Sequence, residues 1–393
     1  MRVFINSLAA SAGGGLTYVR NVVPHLASKG VKVTLALSAN LAQEFRHIAG
    51  IELLVLDIPA AHRLWYEQRQ LPDLIRQSGA DILFSAGNFA LRKSPVPQIL
   101  LSRNSIYTST DFFHDLRSRG EIRMWLETRF RGIFAKRSVS WADVTVAPSA
   151  AFSAELKRWT GRPVVAIHHG FDREAFTRDS CPLAPELKSK LDAANGCFKL
   201  LLVSHYNYYR NFETLIRALP ILREKLNRRP LKLLLTCRLE PGKNPGAYRT
   251  ERTTALVKTL GVLEMIVELG AVPYQQLHQV YACANAYVSP AYTETFAHPL
   301  VEAMASGVPV IASDIPVHRE ICDDAALYFA RFSPESLADR IIQVAESPEK
   351  SRSMSERGLE RSRDFSWKKH VESILVLAQS LASRKQASAM TSQ

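Results

Sequence analysis

Short apolar runs alternate with longer amphipathic segments along this chain, and near residue 197 the alternation starts again. In the first half, Val3 to Asn6, Val31 to Leu37, Ile51 to Leu56, Ala80 to Ser85, Pro97 to Ser102, Val144 to Ala147 and Val164 to Ile167 read as strands. In the second half, Phe198 to Val203, Leu231 to Thr236, Met265 to Leu269, Ala286 to Ser289 and Val308 to Ile311 do the same. Intervening segments such as Thr17 to Ser28 and Phe212 to Glu224 have the apolar spacing of helices. Strands apolar at nearly every position need cover on both faces, which predicts mostly parallel sheets wrapped by helices. At 393 residues the chain is too long for one ordinary core, so the restart predicts two α/β domains. The expected boundaries are 1–175 for the first domain, 176–196 for a polar linker holding Pro182, Pro185 and Gly196, and 197–365 for the second domain. A C-terminal helix over 366–384 is expected to pack back on the first domain, with 385–393 a flexible tail.

Two loops carry the chemistry. After the first strand, Gly13-Gly14-Gly15 opens a helix, and glycines let a backbone approach a ligand closely. The loop is not G-x-G-x-x-G and no acidic residue closes the second strand, which argues against dinucleotide binding. The second stretch runs from Ser289 to Glu320. There Glu294 and Glu302 flank a turn and the start of an apolar helix, with Pro299 at its first turn and Gly307 after its end. A helix start offers backbone N–H groups and a positive dipole end, a natural seat for phosphate. An isolated pair of glutamates at this spacing is more readily a surface glutamate and a helix-face glutamate with no shared task; the flanking sequence decides.

The net charge of +13 suits anionic partners, and no zinc-finger or RNA-binding motif accompanies it, so nucleic acid is set aside. Five scattered cysteines without C-x-x-C spacing exclude a disulfide framework or zinc site and fit a reducing cytosol. No apolar run approaches bilayer-spanning length, and MRVFINSLAA reads as a first strand rather than a signal peptide. A cytoplasmic protein is expected. Arg117 to Arg137 carries seven Arg/Lys and two glutamates, with Ile122, Trp125, Leu126, Phe130, Ile133 and Phe134 on one helical stripe. The simpler expectation is that this stripe packs against the first domain with the arginines outward. The alternative is a helix lying on an anionic membrane at its inner face.

The run Glu294-Thr-Phe-Ala-His-Pro299-Leu-Val-Glu302-Ala-Met-Ala-Ser-Gly307-Val-Pro309-Val-Ile311 resembles the signature of glycosyltransferase family 4. That signature is Glu-Gly-Phe-Gly-hydrophobic-Pro, two residues, then Glu-Ala-Met-Ala-x-Gly-x-Pro-Val-Ile. Gly13 to Gly15, Ala147-Pro148-Ser149, His169-Gly170-Phe171-Asp172 and Arg210-Asn211-Phe212 add to the likeness, which spans nearly the whole chain. The resemblance implies the GT-B architecture, two Rossmann-like parallel-sheet domains facing across a cleft. It also implies retaining transfer of a sugar from a nucleotide-diphosphate co-substrate, with no obligatory cofactor or metal.

By the same resemblance, Glu294 contacts donor-sugar hydroxyls, helped by backbone amides near Phe296 and Ala297. Glu302 accepts from the ribose hydroxyls. The amides of Leu300 and Val301 hold the diphosphate, and Arg210 stands where relatives have a phosphate-binding lysine. Val272 and Pro273 lie where the base pocket forms, and Gly14 and Gly15 reach the phosphates from the first domain. The departures are specific. His205 follows Ser204 where relatives have Gly-Arg; Thr295 and Ala297 replace both turn glycines; Arg103, beside Asn104, stands where many relatives have a histidine. The acceptor, a saccharide or lipid-linked saccharide, is expected on the loop after Asn6, on Gly87-Asn88-Phe89 and on Arg103 to Phe113. The competing reading is a non-catalytic GT-B protein that binds a nucleotide sugar or supports a partner enzyme.

Overall fold

The computed structural model describes residues 1–10, 14–178, 181–226, 230–244 and 247–391; Gly13 of the glycine loop falls outside them. The first sheet is built from Arg2–Asn6 (β1), Lys32–Leu37 (β2), Ile51–Val55 (β3), Ile82–Ser85 (β4), Gln98–Leu101 (β5), Val144–Ala147 (β6) and Val165–Ala166 (β7). The second is built from Phe198–Leu202 (β8), Leu231–Leu235 (β9), Ile266–Glu268 (β10), Ala286–Ser289 (β11), Val310–Ser313 (β12) and Ala326–Phe329 (β13). All pairings are parallel. The strand orders are β3-β2-β1-β4-β5-β6-β7 and β10-β9-β8-β11-β12-β13. Both follow one doubly wound plan, so each sheet has a switch point, between β1 and β4 and between β8 and β11. Loops leaving the carboxyl ends of those strands diverge and leave a crevice for a ligand. β4, β5, β11 and β12 are buried at every position, the signature of strands covered on both faces.

The chain divides into two compact units, residues 1–109, 119–170 and 366–393 in the first and 110–118 and 171–365 in the second. The final helix, Trp367–Thr391, belongs to the first unit, where Val371, Ile374 and Ala378 join Val22, Leu26, Ile82 and Phe84 in the core. His370 fixes that helix: its Nδ1 donates to the His168 carbonyl at 2.8 Å, so its Nε2 accepts from Tyr18 Oη at 2.8 Å. Burial pushes His370 down to about 4, which keeps this tautomer neutral at physiological pH.

Four departures from the sequence reading matter. The helix Thr110–Ser118 was expected in the first domain and instead belongs to the second unit. The expected linker carries helices, Arg173–Thr177 running into it and Pro185–Asp192 inside it, and both belong to the second unit, so it is structure rather than spacer. The expected flexible tail is helical as far as Thr391. The fourth concerns the basic segment. Gly120, at φ 70°, breaks it, and the helix that follows, Ile122–Trp141, buries Thr128, Gly132, Ala135, Ser138 and Val139. Four of the six stripe residues, Ile122, Leu126, Phe130 and Ile133, point outward against the expected packing, while Trp125 and Phe134 are half-buried and Phe134 meets the Phe89 and Trp141 rings. Small residues let the helix lie close to its neighbours on the packed side. β13 and the helix Pro348–Ser362 had no counterpart in the expected pattern.

Candidate functional site

The switch point of the second sheet gathers the charged residues. Leaving β8, Asn207 accepts from the Arg210 backbone N–H at 3.2 Å and caps the turn Tyr208–Arg210. Asn211 then takes a left-handed conformation, φ 54°, which asparagine tolerates better than most residues. Its Nδ2 donates to the Pro290 carbonyl at 3.1 Å, and its Oδ1 accepts from Thr214 Oγ1 at 2.9 Å. Pro290 begins the loop leaving β11. Further along that loop, the Tyr292 N–H donates to the Tyr209 carbonyl at 3.0 Å. The two loops are thus sewn together on both sides of Arg210 and just ahead of Glu294.

The charged pair is Arg210 and Glu294, whose Nη1 and Oε1 are hydrogen-bonded. Both side chains are largely withdrawn from water, at 16% and 9% exposure. The guanidinium lies over the Tyr209 ring, 5.4 Å from its centroid, and its buried Nε–H has no acceptor. A buried N–H without a partner costs roughly 1–3 kcal/mol. A cation held in this way, with one donor spent on a carboxylate and another idle, is suited to a second anionic oxygen.

Glu302 lies on the helix His298–Ala305, which Gly307 terminates at φ 68°. Its carboxylate is buried and accepts from Tyr281 Oη at 3.0 Å. Burial pushes its pKa up to about 7, with the Tyr281 hydrogen bond and the Arg210 charge pulling the other way. Between the ordinary carboxyl value and about 7, the folded chain holds a proton that the unfolded chain has released. Ionising Glu302 therefore destabilises the fold as pH rises through that window, by on the order of 3 kcal/mol once complete. Glu302→Gln removes this term and keeps an acceptor for Tyr281. The gap in unfolding free energy between wild type and variant should widen in the variant's favour from pH 5 to pH 8. Parallel curves in chemical denaturation across that range would contradict the raised value.

The turn between the two glutamates is strained. Ala297 sits at φ 64°, a conformation glycine adopts freely and alanine at a cost of about 1 kcal/mol. Phe296 is buried and meets Phe365 edge-on at 5.3 Å, which holds the turn from beneath. The Leu300 amide, expected to hold a diphosphate, donates to the Ala297 carbonyl at 3.0 Å, because the αL residue folds its own carbonyl back onto the helix start. Leu300 and Val301 bury their side chains completely.

Other expected residues stand apart. His205 is exposed after β8, where its carbonyl accepts from Ser204 Oγ at 2.6 Å and from Asn207 Nδ2 at 3.3 Å. Val272 is half-buried and Pro273 exposed, just before the turn Tyr274–Gln276, where burial first and the Glu302 charge second raise the Tyr274 hydroxyl above its ordinary pKa. In the first unit, Gly14 is exposed and a Cβ there would meet nothing, whereas a Cβ on Gly15 would come within 2.6 Å of Arg103 Nη2. Arg103 is anchored at the first switch point: its N–H donates to Asn88 Oδ1 at 2.7 Å and its Nε to the Ala86 carbonyl at 3.2 Å. Burial lowers its pKa to about 10, so it stays a cation. Asn104 caps the turn Ser105–Tyr107 through Ile106 N–H at 3.2 Å.

Sequence reasoning missed two contributors. His318 is fully buried beneath the second site, between Ser289 Oγ at 3.4 Å and Ser313 Oγ at 3.1 Å, and burial holds it neutral with its pKa lowered to about 3. Its place two residues after the helix-opening Pro316 was the one available hint. Asp115, on the helix Thr110–Ser118, accepts from Tyr292 Oη at 2.9 Å, two residues before Glu294. Nothing local in the sequence signals that contact, which spans 177 positions.

A family model described as "Glycosyl transferases group 1" matches residues 184–361, and one described as "Glycosyltransferase Family 4" matches residues 12–175. The D-inositol 3-phosphate glycosyltransferase of Corynebacterium aurimucosum is 24% identical over 383 residues, covering 91% of this chain and 89% of that one. O-antigen chain mannosyltransferase B of Escherichia coli is 33% identical over 99 residues, 25% of this chain and 26% of that one. Among solved structures, sucrose-phosphate synthase from Thermosynechococcus elongatus aligns with a TM-score of 0.74 at 20% identity, covering 98% of this chain and 99% of that one. HepE of Anabaena in complex with UDP-glucose aligns with a TM-score of 0.71 at 17% identity, covering 97% and 99%.

Proposed function

The chain belongs to glycosyltransferase family 4 and has the GT-B fold, and from that premise we propose that it moves a hexose-type sugar, with retention of configuration, from a nucleoside-diphosphate sugar to a saccharide or lipid-linked saccharide. The observation that carries this reading is the Arg210–Glu294 pair at the second switch point, with Arg210 Nε–H left idle. A ligand presenting phosphate oxygens beside sugar hydroxyls answers both groups at once. Phosphate draws on the guanidinium, and the released carboxylate accepts from hydroxyls.

In this reading Arg210 holds the diphosphate and stabilises the charge that develops as it leaves. Glu294 positions the sugar, and Glu302 accepts from the ribose hydroxyls. The bond from sugar C1 to the diphosphate oxygen breaks while the acceptor oxygen bonds to C1 on the same face. The acceptor's proton passes to the departing phosphate. No side chain acts as nucleophile. Electrostatic preorganisation of this kind is commonly the largest catalytic term, and the Tyr209 ring keeps the guanidinium in place while its carboxylate partner turns to the sugar. His205, exposed after β8, is the weaker candidate for a second phosphate contact, and Val272 and Pro273 flank the base. The acceptor binds the first unit near Gly15, Asn88 and Arg103, whose anchored guanidinium lines the first switch point. The mannosyltransferase among the relatives supports a role in surface polysaccharide assembly.

The test is a panel of nucleoside-diphosphate sugars incubated with the protein, with release of the nucleotide followed by mass. The anomeric configuration of the product is then read by NMR. One donor should be turned over and its anomeric configuration kept. Inversion, or no release from any donor, would defeat the proposal.

A further inference from the structure

The helix Ile122–Trp141 turns a face to solvent that its sequence pattern would ordinarily bury. Ile122, Leu126, Phe130 and Ile133 are each more than half exposed. At 3.6 residues per turn they fall within an arc of about 80°. The face opposite, Thr128, Gly132, Ala135, Ser138 and Val139, is the one that packs inward, and a Cβ on Gly132 would stand 3.7 Å from Tyr107. Other exposed large apolar side chains, such as Trp65, Leu263 and Val376, stand far apart in the sequence and form no such row.

Charge borders this row on both sides. Arg129 and Lys136 lie along one edge and Arg123 along the other, with Arg137 at its C-terminal end, all exposed. Arg123 is 92% exposed and pairs with Glu127 at 2.9 Å, an ion pair open to water that competes weakly with another anion. The Arg129 guanidinium lies 5.4 Å from the Trp125 ring and Lys136 Nζ 5.8 Å from the Trp159 ring, so both are held beside the row. Among the described residues no helix is long and apolar enough to cross a membrane.

We propose that this face docks the protein on an anionic lipid bilayer, with Ile122, Leu126, Phe130 and Ile133 entering the acyl boundary and Arg123, Arg129, Lys136 and Arg137 meeting the headgroups. The helix then lies in the interface plane rather than spanning it. Each basic residue near an anionic surface contributes, and the chain's net charge of +13 adds long-range attraction. A protein partner would need an apolar groove with acidic rims. A bilayer of anionic lipid supplies both features without specific shape, and the unbroken row of four apolar side chains with cations on both flanks matches it. This inference holds whichever sugar the enzyme transfers.

Co-sedimentation of the full chain with vesicles tests it. Vesicles of mixed phosphatidylglycerol and phosphatidylcholine should bind the protein at low salt; pure phosphatidylcholine should bind it weakly. Salt near 1 M, where the screening length is about 3 Å, should release most of it. Leu126→Glu/Phe130→Glu should weaken binding by about a hundredfold, because two apolar contacts are lost and two like charges face the lipid. Arg123→Gln/Arg129→Gln should weaken it by about tenfold or more and flatten the salt dependence. All four positions are exposed or flank exposed ones, and circular dichroism melting checks that each variant folds. Absence of wild-type binding to the anionic vesicles would overturn the proposal, as would binding that survives Leu126→Glu/Phe130→Glu. Lipid-free sedimentation supplies the last arm. Self-association abolished by the same substitution would make the face a contact between copies of the chain, and would equally overturn it.

Discussion

Glu294→Gln should lower glycosyl transfer by about 10²–10³-fold in kcat, the loss seen when one preorganised group at a reacting centre is removed. The substitution is nearly isosteric, and the amide oxygen still accepts from Arg210, so the two loops stay sewn together by Asn211–Pro290 and Tyr292–Tyr209. The charge is what is lost. A glutamine accepts fewer and weaker hydrogen bonds from sugar hydroxyls, and it leaves Arg210 without a counter-charge in a site only 16% open to water. Stability should fall by no more than about 1–3 kcal/mol, the cost of weakening one buried charged hydrogen bond. KM for the donor should move less than kcat, because the grip on the diphosphate proposed for Arg210 remains. A variant that folds and turns over donor at the wild-type rate would remove Glu294 from the chemistry. It would also revive the non-catalytic reading if activity in the cell persisted.

Arg210→Met should act differently. On the proposed reading it removes the diphosphate contact, so affinity for the nucleoside diphosphate should drop by about 10²-fold or more, while the nucleoside alone binds as before. It also strands the Glu294 carboxylate in a buried site, which breaking a buried ion pair makes costly, about 3–5 kcal/mol at the upper end. Removing both partners should be gentler on the fold than removing Arg210 alone. The double variant Arg210→Met/Glu294→Gln is thus expected to recover stability relative to Arg210→Met, with a coupling of about 0.5–3 kcal/mol. Additive losses in a denaturant cycle would mean the pair contributes nothing as a pair. Arg210→Lys keeps the charge and loses the planar fork, and its activity should fall between the two.

The two sheets were legible because apolar runs and their spacing are local properties. Ala286 to Ser289 is four buried residues in a row, and no other arrangement covers both faces of such a run. Glu302 and the helix that carries it were legible for the same reason: Pro299 and Gly307 mark its ends within ten residues. What the sequence hid depends on long-range placement. The apolar stripe of Ile122–Trp141 reads most simply as a buried face, and the choice of Gly132, Ala135 and Ser138 for the packed side is what turns most of it outward. The Leu300 amide reads as a free helix-start donor until the φ of Ala297 is known, because the left-handed residue turns its own carbonyl onto that amide. Asp115 reads as one more acid on a polar helix. Its link to Tyr292 depends on which unit that helix joins.

The helix Thr110–Ser118 belongs to the second unit, yet the chain on either side of it belongs to the first. It is held there by Asp115 to Tyr292, by Asp111 to Arg331 at 3.1 Å and by Ser118 to Arg252 at 3.2 Å. The two halves of this enzyme are therefore not interchangeable cassettes. A fragment cut at residue 170 takes Thr110–Ser118 away with the wrong half and separates Asp115 from the Tyr292 hydroxyl, two residues from Glu294. Recombination between relatives that crosses over once, between the halves, pairs the Asp115 helix from one parent with the Tyr292 loop from the other. Offspring that keep Asp115 and Tyr292 from the same parent should survive such shuffling more often than those that separate them.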